Sequence, residues 1–123
     1  MASFTEARHA GSFILSEGPG HYSRENITIL SGEGKLVAGQ VIGKVTATGK
    51  YRSADPVNAD GSQGAAAILF DAVDATSADA IAVAIVRGAE VNGNLLTYDA
   101  AVDDAPKKAT QIAALKTATI IVR

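Results

Sequence analysis

The chain has no cysteine. That excludes disulfide staples and every metal site built on thiolates. It also has no tryptophan, and aromatic residues make up only 5% of its 123 positions. A sugar-stacking platform of exposed rings is therefore not expected. The hydrophobic share is 47%, but much of it is Ala, which buries little area per residue. Such a chain favours an oligomer, in which flat Ala-rich faces are covered by neighbours. An excess of either charge is lacking too: 11 Lys and Arg stand against 13 Asp and Glu, a net charge of −2. The basic residues are scattered, so a phosphate-neutralising patch and a nucleic-acid partner are not expected. No run approaches the roughly 20 apolar residues that span a bilayer, so no membrane partner is expected either. Met1 to Arg8 carries no apolar stretch of the secretory type, and no export signal is expected there.

At this length the expectation is one domain with a modest core. Residues 1–24 read as a flexible arm. Gly11 and the run Gly18-Pro19-Gly20 interrupt it, and its one apolar patch is Phe13-Ile14-Leu15. Residues 25–123 read as a β-rich body. Asn26 to Leu30 alternates with Ile27 and Ile29 on one face, the pattern of a half-buried strand. Lys35 to Ala47 reads as extended with a break at Gly39, and Gly43 within it marks a bulge or a close backbone approach. Asp60-Gly61 is a turn leading into the continuously apolar Ala65 to Phe70, whose two faces should both be covered. In Ile81 to Val86 the large side chains Ile81, Val83 and Ile85 are expected to fill the core. The smaller Ala82 and Ala84 are expected to lie against something flat, such as a subunit interface. Asp103-Asp104-Ala105-Pro106 opens the one convincing helix, with Ala109, Ile112 and Ala113 as its apolar face and Leu115 flanking it. Ile120 to Val122 closes the chain as a strand. The fold class is thus mainly β with a minor helical part: a small Greek-key-like or barrel-like domain with one C-terminal helix.

Chemistry-bearing arrangements are sparse. His9 and His21 both lie in the Gly-rich arm, where no rigid shell holds a base against a nucleophile, so no catalytic residues are assigned. Asp71, Asp74 and Asp79 do not follow the spacing of a calcium loop and read as a solvated connection, so no metal site is assigned. No cofactor is expected. Gly32-Glu33-Gly34 lacks the phosphate-cradle pattern. Arg24 and Arg87, near predicted strand ends, are candidates for the subunit interface together with Ala82 and Ala84. Phe4, Phe13, Ile14 and Leu15 are candidate anchors in a partner's groove, because apolar groups on an arm lose water only when a partner binds.

An ordered series of segments resembles the head decoration proteins of tailed phages. It consists of the Asp60-Gly61 turn, the Ala-rich strand, the Asp-bearing bridge, a second strand and a hairpin. The helix with Lys107 and Lys108 and the Ile-rich end follow. Gly11 to Gly18, Ser23 to Asn26 and Lys44 to Tyr51 resemble prophage members of the same family. The resemblance implies a β-clip-like fold and a homotrimer that clamps the major capsid protein. It places that trimer on the outside of the expanded head, at local threefold positions, after assembly in the bacterial cytoplasm. There it resists the pressure of packaged DNA, with the N-terminal arm supplying much of the binding. Two other classes are weighed beside it: a trimeric β-clip enzyme of nucleotide pyrophosphatase type, whose motifs are not found here, and a stand-alone surface-binding module.

Overall fold

A computed structural model describes residues 9–123. Among the described residues are ten short strands, one 3-10 turn (Gly93–Leu95) and one α-helix. Five strands close into a barrel in the order β2 (Arg24–Ile29), β5 (Tyr51–Ser53), β4 (Val41–Lys44), β6 (Ala67–Leu69) and β8 (Ala80–Ile85). β2 and β8 form its longest seam, antiparallel, with Arg24 opposite Ile85 and Ile29 opposite Ala80. A three-stranded sheet lies beside the barrel. Its middle strand is β9 (Ala89–Val91), flanked by β1 (Ile14–Glu17) antiparallel and β10 (Ile120–Val122) parallel. A ribbon of β3 (Gly34–Leu36) and β7 (Val73–Ala75) completes the strands.

Strand alternation divides the apolar residues between two cores. Ile27, Ile29, Ile42, Tyr51, Ala67, Leu69 and Ala84 fill the barrel. Their sequence neighbours Val41, Ile68 and Ile85 point outward into a second core, closed by Phe13, Val91, Leu115 and Ile120. This explains why Ala65 to Phe70 lacks polar positions: each face of β6 meets a different core. It also corrects the expectation for β8. Ala80, Ala82 and Ala84 face the barrel interior, and of the large trio only Ile85 is buried, whereas Ile81 is 81% exposed. A five-stranded barrel has a narrow lumen, and alanines on β8 leave room for the isoleucines of β2 and β4.

Gly43 is a site of close approach, as its place in a strand suggests. A Cβ there would overlap the Ser62 carbonyl oxygen and stand 2.8 Å from that of Gly64. The loop before β6 therefore lies directly on β4.

The helix α1 spans Ala105–Thr117. Asp104 caps it by accepting from the Lys107 amide at 2.9 Å, and Pro106 sits in the first turn, where a missing N–H costs nothing. Its buried face keeps the expected Leu115 and a half-buried Ile112 but is turned toward Gln111. Gln111 and Leu115 are buried, with Ala114 and Ala118 beside them, while Ala109 and Ala113 face solvent. Gln111 explains the rotation, because it ties α1 to the loop ahead of β6. Its Oε1 accepts from the Ala65 amide at 2.7 Å, and its Nε2 donates to the carbonyls of Gln63 (3.0 Å) and Ala54 (3.3 Å). A fully partnered buried amide has a place in a core. Thr119 ends the helix at φ 62, a position where Gly is usual. Its hydroxyl accepts from the Gly88 amide at 2.9 Å and donates to the Ala118 carbonyl, which holds this backbone against its steric cost.

Candidate functional site

Part of the segment 1–24, read from the sequence as an arm, packs on the body. Phe4 lies outside the described residues. Phe13 is 1% exposed and belongs to the second core, where its carbonyl accepts from the Asn92 amide at 2.7 Å. Ile14 packs against that core and pairs with Val91 across β9. Only Leu15 of the apolar patch points outward, at 55% exposure. Packing thus ties the chain to the body from about residue 11, where the Gly11 amide donates to the Phe70 carbonyl at 2.9 Å. Phe13 has nothing left to offer a partner while the body is folded.

Around the entry of this segment the side chains form one connected cluster. Arg24 holds Glu17 through two nitrogens, Nη2 to Oε1 at 2.6 Å and Nε to Oε2 at 3.2 Å. The buried Ser23 hydroxyl donates to the same carboxylate. These contacts, the Arg24 hydrogen bond first and Ser23 second, hold the Glu17 carboxyl below its ordinary range. The Arg24 guanidinium also lies over the Phe70 ring, 4.3 Å from its centre. On the other side Arg87 binds Glu25 and the Tyr22 carbonyl, both at 2.7 Å. The turn between β1 and β2 is thereby pinned to β6, β8 and the loop after β8.

The sequence-predicted interface residues separate under this geometry. Arg24 and Arg87 are partly exposed at one end of the β2–β8 seam, and each already has a carboxylate partner within the chain. Ala84 is completely buried in the barrel and so is closed to another subunit, whereas Ala82 packs on the barrel core but is only partly buried. Sequence reading missed Ile81 because the larger side chains of an alternating strand are ordinarily assigned inward. It missed Gln111 because a polar residue is ordinarily assigned to the outside of a helix.

One polar hollow of about 320 Å³ is lined by Glu33, Gln40, Arg52, Ser53, Asp55, Tyr98 and Asp99, among others. Its hydrogen bonds run inward. The Ser53 amide donates to Glu33 at 2.7 Å, its hydroxyl donates to Asp99 at 2.8 Å, and Gln40 donates to that hydroxyl at 3.3 Å. The buried Nε of Arg52 makes no hydrogen bond and feels Glu33 only as a charge at 3.5 Å. Ser53 therefore has a carboxylate but no base held by a third group, which nucleophilic catalysis requires. His21 instead sits beside Arg24 and Phe70 in a separate hollow. Asp79 binds Lys50 at 2.6 Å and the Ser31 amide at 2.8 Å, and Asp74 accepts from the Thr76 amide at 3.0 Å, so both carboxylates serve turns. Among the described residues no group of three His, Cys, Asp or Glu side chains is placed to hold a metal ion. Among them, too, no helix is long and apolar enough to cross a membrane.

A family model described as bacteriophage lambda head decoration protein D matches residues 3–120. No curated protein matches the chain. The match covers both cores and the cluster that joins them, and it agrees with a β barrel that carries one C-terminal helix. The chain belongs to the bacteriophage lambda head decoration protein D family, which consists of structural proteins of the capsid exterior and not of enzymes.

Proposed function

We propose that the chain acts as a homotrimer that sits at local threefold positions of the expanded head and clamps neighbouring major capsid proteins. The observation that carries this reading is the family match over residues 3–120. The fold supports it physically. β1 and β10 flank the same central strand β9, so the first described strand lies in the sheet that also holds the C-terminal strand. Docking by the N-terminal segment would use Phe4 and the exposed Leu15 as apolar anchors, while Phe13 and Ile14 hold the base of the segment to the body.

A single docked segment binds weakly, because fixing each backbone residue costs about 1–2 kcal/mol. Three segments on one trimer overcome that cost. Once the first is bound, the others act at about millimolar effective concentration, and avidity rises by about 10²–10⁴. Binding then links several capsid subunits, and internal pressure must break several contacts at once to separate them.

Co-sedimentation of the purified protein with expanded and unexpanded heads of its phage tests the reading. Saturable binding to expanded heads, reduced at least tenfold by Phe4→Asp with Leu15→Asp, is expected. Equal binding by the double variant would remove the anchor assignment. No binding by the unaltered protein would remove the capsid reading.

A further inference from the structure

We propose that the polar hollow bordered by Glu33, Asp55 and Asp99 is a receptor for a guanidinium group, filled by an arginine side chain of the protein surface on which the chain sits. This inference rests on the capsid reading and adds a charged contact to it.

The lining of this hollow carries three carboxylates, Glu33, Asp55 and Asp99, against the single guanidinium of Arg52. Three against one leaves two negative charges uncompensated, as many as the net charge of the whole chain. Arg52 is also engaged by a fourth carboxylate, with Nη1 3.2 Å from Asp60. Bonds within the chain use only part of the acceptors. Glu33 Oε1 accepts from the Ser53 amide at 2.7 Å, and Asp55 Oδ1 accepts from the Val57 amide at 2.9 Å. A carboxylate offers about four acceptor positions, so each stays open to further donors. Gln40 supplies an observation independent of charge. It is only 6% exposed and borders the hollow. Its Nε2 donates to the Ser53 hydroxyl at 3.3 Å, whereas its Oε1 accepts from no described residue. Among the described residues the one unpartnered side-chain atom sealed from solvent is Arg52 Nε, so Gln40 Oε1 is reached from outside. A nearly buried side chain thus keeps an acceptor open for a donor that enters the hollow.

The charge selects a cation, and the spacing of the acceptors selects its shape. Among the described residues no three carboxylates converge as they must around a metal ion. The acceptors are instead spread around a space of about 320 Å³. An ammonium is a compact point charge, whereas a guanidinium is a planar fork of five N–H donors that reaches separated acceptors together. Tyr98 adds an aromatic wall, on which a guanidinium also stacks. On the capsid reading the partner is a protein surface, and in a protein the guanidinium is that of arginine.

Two measurements test this. In the first, nitrogen-15-labelled protein is titrated with methylguanidinium chloride, and separately with methylammonium chloride at the same ionic strength. Saturable shifts of the Gln40, Ser53 and Asp99 amides are expected, at least threefold tighter with methylguanidinium. In the second, variants are bound to expanded heads. Glu33→Gln with Asp99→Asn keeps an acceptor oxygen at each bond to Ser53, so an unchanged circular dichroism spectrum is expected. This pair should abolish the amide shifts and weaken binding to heads about tenfold, the scale of a charged interface contact. Asp71→Asn with Asp103→Asn removes as much charge elsewhere and should change neither. Amide shifts no different from those with sodium chloride, or equal weakening by both pairs, overturn the inference. Undiminished binding to heads by the Glu33 and Asp99 pair also overturns it and leaves the capsid reading standing. Shifts that appear only after Arg8→Gln give the hollow to the chain's own N-terminal segment and overturn the partner assignment. Failure of the unaltered protein to bind heads overturns both readings.

Discussion

The two cores of this protein use opposite faces of the same barrel strands but draw on different lengths of chain. The barrel interior is filled by residues between Ile27 and Ala84. The second core takes its cover from both ends of the described chain: Phe13 on one side, Leu115 and Ile120 on the other. The first is a closed sheet that needs no help from the termini. The second exists only when β1, α1 and β10 are in place together. Near its start the described chain is thereby fixed to the barrel strands through Phe13 in the second core.

Several variants test this contrast. Among single substitutions the largest effect is expected from Phe13→Ala, at about 3–5 kcal/mol of unfolding free energy by chemical denaturation, the cost of emptying a buried aromatic site. Removing residues 1–20 takes away Phe13 and β1 together and should lower stability further. Removing residues 1–8 should leave the melting temperature unchanged, because none of the described packing is lost. Equal tolerance of the two truncations would show that the second core does not depend on Phe13.

Gln111→Leu should cost about 2–3 kcal/mol, because the Ala65 amide and the Gln63 and Ala54 carbonyls lose their partner. Its hydrogen-exchange signature should be local, with faster exchange at Ala65 and unchanged protection at Ile29. Asp104→Ala removes the cap of α1 and should cost about 1 kcal/mol, read from the same denaturation curves.

The smallest effect belongs to Glu17. Its carboxyl titrates below the ordinary value of 4.5 when folded, so its contribution is present above that pH and is lost as pH falls through the folded value. Glu17→Gln should therefore destabilise by less than about 1 kcal/mol at neutral pH, as for a partly exposed pair. The gap from the unaltered protein should close in acid below pH 4.5. A gap that widens on acidification would contradict the assigned pairing with Arg24.

Much of the barrel was legible in the sequence, because alternation in Asn26 to Leu30 and the unbroken apolar run at Ala65 to Phe70 report burial directly. Gly43 was legible as a close approach for the same local reason. The second core was not. Phe13 sits in a segment rich in Gly with a short apolar patch, and only the long-range pairing of β1 with β9 shows that it has a core to enter. The inward alanines of β8 were misread because side-chain size alone does not say which side of a strand faces a narrow lumen. Gln111 was hidden because its value lies in three backbone partners distant in sequence. For the candidate site, the segment order carried the family, but the division of Phe13, Ile14 and Leu15 between core and surface required the fold.

The most direct test of the account is to image expanded heads of the encoding phage after adding the full-length protein, and separately the protein lacking residues 1–8. Threefold-shaped density on the outer surface with the first, and none with the second although it remains folded, is the predicted result. Bare heads after saturation with the full-length protein would contradict it.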